Sequence, residues 1–145
     1  VLTTLTEHLT HVATRAAPYW RPVAVGVTAL GAVALVATVD PHEAGHYPTC
    51  PSLFITGFWC PGCGSLRALH SLAHGDLVGA LGMNILVVVA VPYLLWRWGG
   101  WLAATLGRPP RRRLAPAWAI WLLLGGILAF TVARNIPMFG PLLAP

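Results

Sequence analysis

The sequence predicts an all-α membrane protein with three transmembrane helices, an N-terminal interfacial amphipathic helix, and a short interfacial or re-entrant helix after a Cys-Pro-Gly-Cys-Gly turn. Three observations carry that expectation. The 145 residues are 57% hydrophobic and only 9% charged, against about a quarter charged in a typical soluble domain. Mean hydropathy is +0.70. Three long apolar stretches are separated by segments that hold nearly all the ionisable side chains.

Residues 1–17 place Leu2, Leu5, Leu9, Val12 and Ala16 at helical spacing, with Thr, His and Arg opposite. Thr4 and Glu7 have the offset of a capping box. The expectation is a helix lying on the membrane surface. Pro18-Tyr19-Trp20-Arg21-Pro22 supplies interfacial aromatics and a cation, after which residues 23–39 run without a charge and form the first span.

Residues 40–76 form a loop and short helix without a clear early period. Helical spacing returns at Leu66, Leu69, Leu72 and Ala73, ahead of Gly75. That helix is too short to cross a bilayer. Residues 77–106 give the second span, which at about 1.5 Å per residue would reach about 45 Å, more than the hydrocarbon core of about 30 Å. It must tilt, protrude or bend, and Pro92 is the candidate kink. A basic turn at 108–113 leads into the third span, residues 114–133.

Arg15, Arg21, Arg97, Arg108, Arg111, Arg112 and Arg113 fall on one side of this arrangement, and only Arg67 and Arg134 on the other. The positive-inside tendency then gives a bacterial cytoplasmic membrane protein, amino terminus cytoplasmic and cysteine loop extracytoplasmic. The net charge of +5 is a topology signal in this setting, and no nucleic-acid partner is expected, because that needs cations gathered on a soluble module. The spans contain little that could relay protons or ions. Pumps, ion-coupled carriers and intramembrane haem proteins are disfavoured, and the expected partners are the lipid bilayer and other membrane protein subunits.

The chemistry lies in the loop. It holds all three cysteines, Cys50, Cys60 and Cys63, and four of six histidines, His42, His46, His70 and His74. Two thiolates separated by two residues can reach one ion, so Cys50, Cys60, Cys63 and His74 or His70 form a candidate site for one zinc or iron ion. His70 and His74 lie one helical turn apart. A disulfide from Cys50 to Cys60 or Cys63 competes with this reading and leaves one thiol over. Redox exchange is the third reading, with Cys60 as a helix-opening nucleophile, Cys63 resolving and Cys50 as relay. No haem is expected, since Gly64 stands where a haem attachment motif needs histidine. His42 and His46 read as surface loop residues. Arg67 and Arg134 are expected to pair with Asp40, Asp76 or a lipid phosphate, and Asn84 to cap the second span or to hydrogen-bond the cysteine turn.

Cys50-Pro51, Gly57, Cys60-Pro61-Gly62-Cys63-Gly64, Arg67-Ala68, His74-Gly75-Asp76, Ala80 and Asn84 occur in that order, followed by Arg134-Asn135 and Pro137. On these residues the chain resembles a family of small bacterial membrane proteins described as a domain of unknown function, number 2752. Leu66 and Ile85 depart from that pattern, which often has Thr and Pro there. The resemblance implies a membrane protein with the cysteine motif as its signature, and it implies no activity. The functional expectation is a non-catalytic accessory subunit or assembly factor of a larger membrane complex, the loop held by a disulfide or metal. The alternatives are a membrane thiol-disulfide oxidoreductase or a metal-binding and delivery protein.

Overall fold

The computed structural model describes residues 2–43, 45–48, 50–107 and 116–139, with side chains from Tyr19 onward. Among these residues every regular element is a helix: α1 (Leu2–Thr38), α2 (Pro51–Thr56), α3 (Ser65–Ala73), α4 (Leu77–Met83), α5 (Ile85–Thr105) and α6 (Ala117–Asn135). Three segments are long and apolar enough to cross a membrane, Tyr19–Thr38, Ile85–Thr105 and Ala117–Asn135.

Two boundaries differ from the sequence expectation. Residues 2–17 of the amphipathic segment and the first span as far as Thr38 are joined in one helix, α1, which continues through Pro18 and Pro22. Proline removes a donor but keeps a helical φ, so a helix can pass through it with a bond missing. The stretch 77–106 divides in two. It breaks at Asn84, where the backbone is extended (φ −162°, ψ 100°), and not at Pro92, which lies inside α5. The 21 residues of α5 then span about 31 Å, and the excess length disappears.

Little of each span is covered by protein. Side chains such as Val27, Leu30, Leu94, Trp96, Leu122 and Leu123 are exposed, as lipid-facing residues must be when hydrocarbon is the solvent. Close approach occurs where Gly26 meets Trp98: a Cβ at Gly26 would lie 2.6 Å from the indole ring. The missing side chain lets Trp98 Nε1 donate to the carbonyl of Pro22 at 2.8 Å.

The buried centre lies at one end of the bundle. Val36 from α1, Cys63, Ala68 and Ser71 from the turn and α3, Ala80 from α4, Asn84, and Arg134 from α6 are the interior residues there. α3 packs against α1, α4 and α5. The fold therefore gathers the ends of all three candidate spans beneath the cysteine turn.

Candidate functional site

Cys50 precedes α2 as its N-cap residue, with Pro51 in the first turn. Proline suits that position because its missing N–H would be unpaired there anyway. Cys50 is thus the cysteine that opens a helix, the role the sequence reading gave to Cys60. The backbone N–H of Leu53 points at its sulfur, and the Cys63 and Cys60 thiols add hydrogen bonds. Together these pull the Cys50 thiol down to about 7.

Cys60 to Cys63 form a tight turn, closed by Cys63 N–H donating to Cys60 O at 3.1 Å. Gly64 takes a left-handed conformation (φ 77°) as N-cap of α3, where a side chain would be opposed. This turn directs Cys63 inward. Burial pushes its thiol up to about 12, and hydrogen bonds to the other two sulfurs act in the same direction.

The three sulfurs converge. Cys50 Sγ lies 3.3 Å from Cys60 Sγ, Cys60 Sγ lies 3.0 Å from Cys63 Sγ, and all three fall within 4.8 Å of one another. They are free thiols, at separations well beyond a disulfide bond of about 2.05 Å. Thiolates on one zinc ion, each about 2.3 Å from it, stand about 3.8 Å apart by tetrahedral geometry. Opening the cluster by less than about 1 Å would admit such an ion.

Arg134 and Asn84 hold the turn from below. Arg134 donates through Nη1 to the carbonyls of Cys60 and Cys63, both at 3.0 Å, and through Nη2 to Met83 O at 3.3 Å. Its guanidinium also sits 4.9 Å from the centre of the Phe130 ring. Asn84 Nδ2 faces Pro61 O and Cys63 O at 3.0 Å and Ser65 Oγ at 3.2 Å. Its Oδ1 accepts from Leu86 N–H at 3.0 Å, capping α5. The expected cap is present, and one side chain performs both tasks.

Asn135 completes the support, taking Trp59 N–H at 2.8 Å and donating to Trp59 O at 2.9 Å. Arg67, like Arg134, reaches a peptide carbonyl: its Nε donates to Pro41 O at 3.3 Å. Asp76 instead caps α4 by accepting from Gly79 N–H at 2.8 Å. A guanidinium buried among carbonyl oxygens replaces its water shell with aligned acceptors.

The histidines do not join the thiols. Among the described residues the metal-capable group comprises Cys50, Cys60 and Cys63 alone. His74 Nδ1 binds the carbonyl of His70 at 2.9 Å, within its own turn of chain. His70 Nδ1 binds Val36 O at 2.8 Å. His42 donates its backbone N–H to Asp40 Oδ1 at 2.8 Å and brings Nδ1 to the same oxygen at 2.7 Å; these two contacts, the backbone one first, hold the Asp40 carboxyl below its usual range.

Residues 50–98 match the model of a family described as a protein of unknown function, DUF2752. This is the family the sequence resemblance names. The DUF2752 match runs from Cys50 through the turn, α3 and α4 into α5. Arg134 and Asn135 lie beyond the matched residues, yet they reach back onto the DUF2752 turn. No curated protein and no solved structure matches the chain. Sequence reasoning missed α2 and the destination of Arg134. A signal for the first was Pro51 directly after Cys50; for the second, a lone cation closing an otherwise uncharged span.

Proposed function

We propose that this chain is an accessory component of a larger complex in the bacterial cytoplasmic membrane, and that Cys50, Cys60 and Cys63 bind one soft metal ion in its extracytoplasmic segment. The observation that carries the reading is the convergence of the three sulfurs within 4.8 Å of one another. Thiolates select soft or borderline ions such as zinc. Three protein ligands leave a tetrahedral ion its fourth position for water or for a donor on a partner, which suits an assembly or delivery role. The arginine asymmetry across the spans supports the orientation.

Purification under reducing, oxygen-free conditions followed by metal analysis and thiol counting tests the centre. The expected result is one metal per chain, lost in Cys60→Ser. A metal-free chain with three titratable thiols would overturn it. Co-purification with other membrane subunits at a fixed ratio tests the accessory role, and a chain that always isolates alone would remove it.

A second reading is favoured by the depressed Cys50 thiol, which puts a thiolate near neutral pH beside Cys60. In thiol-disulfide exchange, the Cys50 thiolate would attack a partner's disulfide, forming a mixed disulfide and releasing one partner thiolate. Cys60, deprotonated in turn, would then attack the Cys50 sulfur and release the second. The partner gains two electrons and two protons, and Cys50–Cys60 becomes a disulfide. Trapping of the mixed disulfide in Cys60→Ser is its signature.

A further inference from the structure

The cysteine turn has two unlike sides. On one, a cleft of about 490 Å³ opens over the sulfurs, with His42, Glu43 and Arg67 among its lining residues and Leu53 turned into it. On the other, α2 carries Phe54 and Ile55 outward, 85% and 78% exposed, and Phe58 just beyond the helix is 62% exposed. Phe54 is the most exposed large apolar side chain among the described residues. No charged residue occurs between Cys50 and Leu66.

The backbone beneath these side chains is satisfied from within. Gly57 N–H donates to Leu53 O at 3.0 Å from a left-handed cap (φ 72°) that ends α2. Phe58 N–H donates to Thr56 Oγ1 at 3.2 Å, and Phe58 O accepts from Ser52 Oγ at 3.4 Å. Both groups of Trp59 are held by the Asn135 amide at 2.8 and 2.9 Å. A loop facing water needs no such partners, whereas irregular backbone against lipid does, because hydrocarbon supplies neither donors nor acceptors.

The third span fixes the depth of this segment. The 19 residues of α6 rise about 28 Å, no more than the hydrocarbon core of about 30 Å. Asn135, its last residue, therefore stands at the edge of the core with no length to spare. Its two bonds hold Trp59 at that same level. Ile136, Met138 and Phe139 follow there, exposed and uncharged.

We propose that Phe54, Ile55 and Phe58 insert into the acyl boundary of the bilayer, making α2 a lipid anchor that seats the thiol turn at the membrane surface. Lipid is the occupant because these side chains project from a short helix and line no groove, and because their surface meets the lipid-facing spans at Asn135. Apolar faces of this kind sink about 5–10 Å into the boundary. The cleft, with its polar lining, is left on the aqueous side, so whatever meets the sulfurs arrives from water. The anchor is independent of what the sulfurs bind.

The test uses the wild-type chain in phosphatidylcholine nanodiscs containing a trace of phospholipid with a diazirine on its upper acyl chain. After irradiation, adducts are mapped by mass spectrometry, and a parallel sample is exposed to hydroxyl radicals generated in the water phase. Lipid adducts on Phe54, Ile55 and Phe58 are expected at the level found on Leu122 and Leu123, with oxidation as low as on those leucines. Oxidation of Phe54 and Phe58, with lipid adducts confined to the spans, overturns the proposal. Protection from both probes also overturns it and assigns the face to a protein partner, a second copy included. Phe54→Glu combined with Phe58→Glu gives a second arm: the lipid adduct on Ile55 is expected to be lost while that on Leu122 persists, and an Ile55 adduct that survives the double change counts against the anchor.

Discussion

Trp59 and Asn135, 76 residues apart in sequence, exchange two hydrogen bonds, so both peptide groups of one turn residue rest on the amide of a single side chain. The end of the third span thereby fixes the entry to the cysteine turn. Asn135→Ala is expected to cost about 1–3 kcal/mol, since the half-buried N–H and C=O of Trp59 would lose their partner. A lowered thermal midpoint in detergent and faster alkylation of Cys60 are the measurements. An unchanged midpoint would mean that the pair is not what seats the turn.

Arg134→Lys retains the charge and loses the planar fork that reaches Cys60 O, Cys63 O and Met83 O together. The expected loss is about 1.5–3 kcal/mol, because an ammonium cannot reproduce that geometry. Arg134→Met should cost more, since it leaves those carbonyls without a charged donor. Thermal unfolding of the two variants side by side checks the order, and a Lys variant as unstable as Met would assign the effect to shape alone.

Asn84 separates capping from clasping. Asn84→Asp keeps an oxygen to cap Leu86 N–H but removes the amide donor to Pro61, Cys63 and Ser65. A carboxylate facing two carbonyls is then expected to be at least as harmful as Asn84→Ala, both losing about 1–3 kcal/mol. Near-wild-type stability for Asp would show that the cap is the larger contribution.

Cys50 and Cys63 should respond oppositely to pH. With Cys50 pulled down to about 7, its thiolate dominates above neutrality, and its alkylation rate should fall about tenfold per pH unit below that point. Cys63, pushed up to about 12, should stay slow throughout the neutral range. Residue-resolved mass spectrometry after timed alkylation measures both. Faster labelling of Cys63 than Cys50 at pH 8 would contradict the assignment.

Gly26→Ala places a Cβ against the Trp98 ring and should push α5 away from α1. The expected cost is about 1–3 kcal/mol from overpacking, together with loss of the Trp98 to Pro22 bond, read as a shift in tryptophan emission and a lower midpoint. Gly31→Ala, where nothing lies within 4 Å, is the control.

The spans and the thiol cluster were legible because each rests on local pattern: apolar runs for the helices, residue spacing for Cys60 and Cys63. The convergence of Cys50 depended on the short α2, announced only by Pro51. Asn84 was legible as a cap or as a partner of the cysteine turn, and no period encodes that it does both, reaching 21–23 residues back. Ile85 obscured the break before α5, because the extended backbone falls at Asn84 itself. Arg134 was placed at a boundary and expected to seek an acid. Its carbonyl acceptors belong to the backbone, and backbone acceptors leave no mark on composition. His74 was drawn toward the thiols by chemistry alone, and the turn of chain that holds it at His70 separates it from them.

The grip of Arg134 on Cys60 and Cys63 also imposes an order of events. A ribosome makes the cysteine turn 71–74 residues before the guanidinium that clasps it. Until α6 is made, the carbonyls of Cys60 and Cys63 keep only the Cys63 N–H and the Asn84 amide as donors. The sulfurs meanwhile ride on a turn that is not yet clasped. The fully clasped turn therefore forms only after α6 has been made.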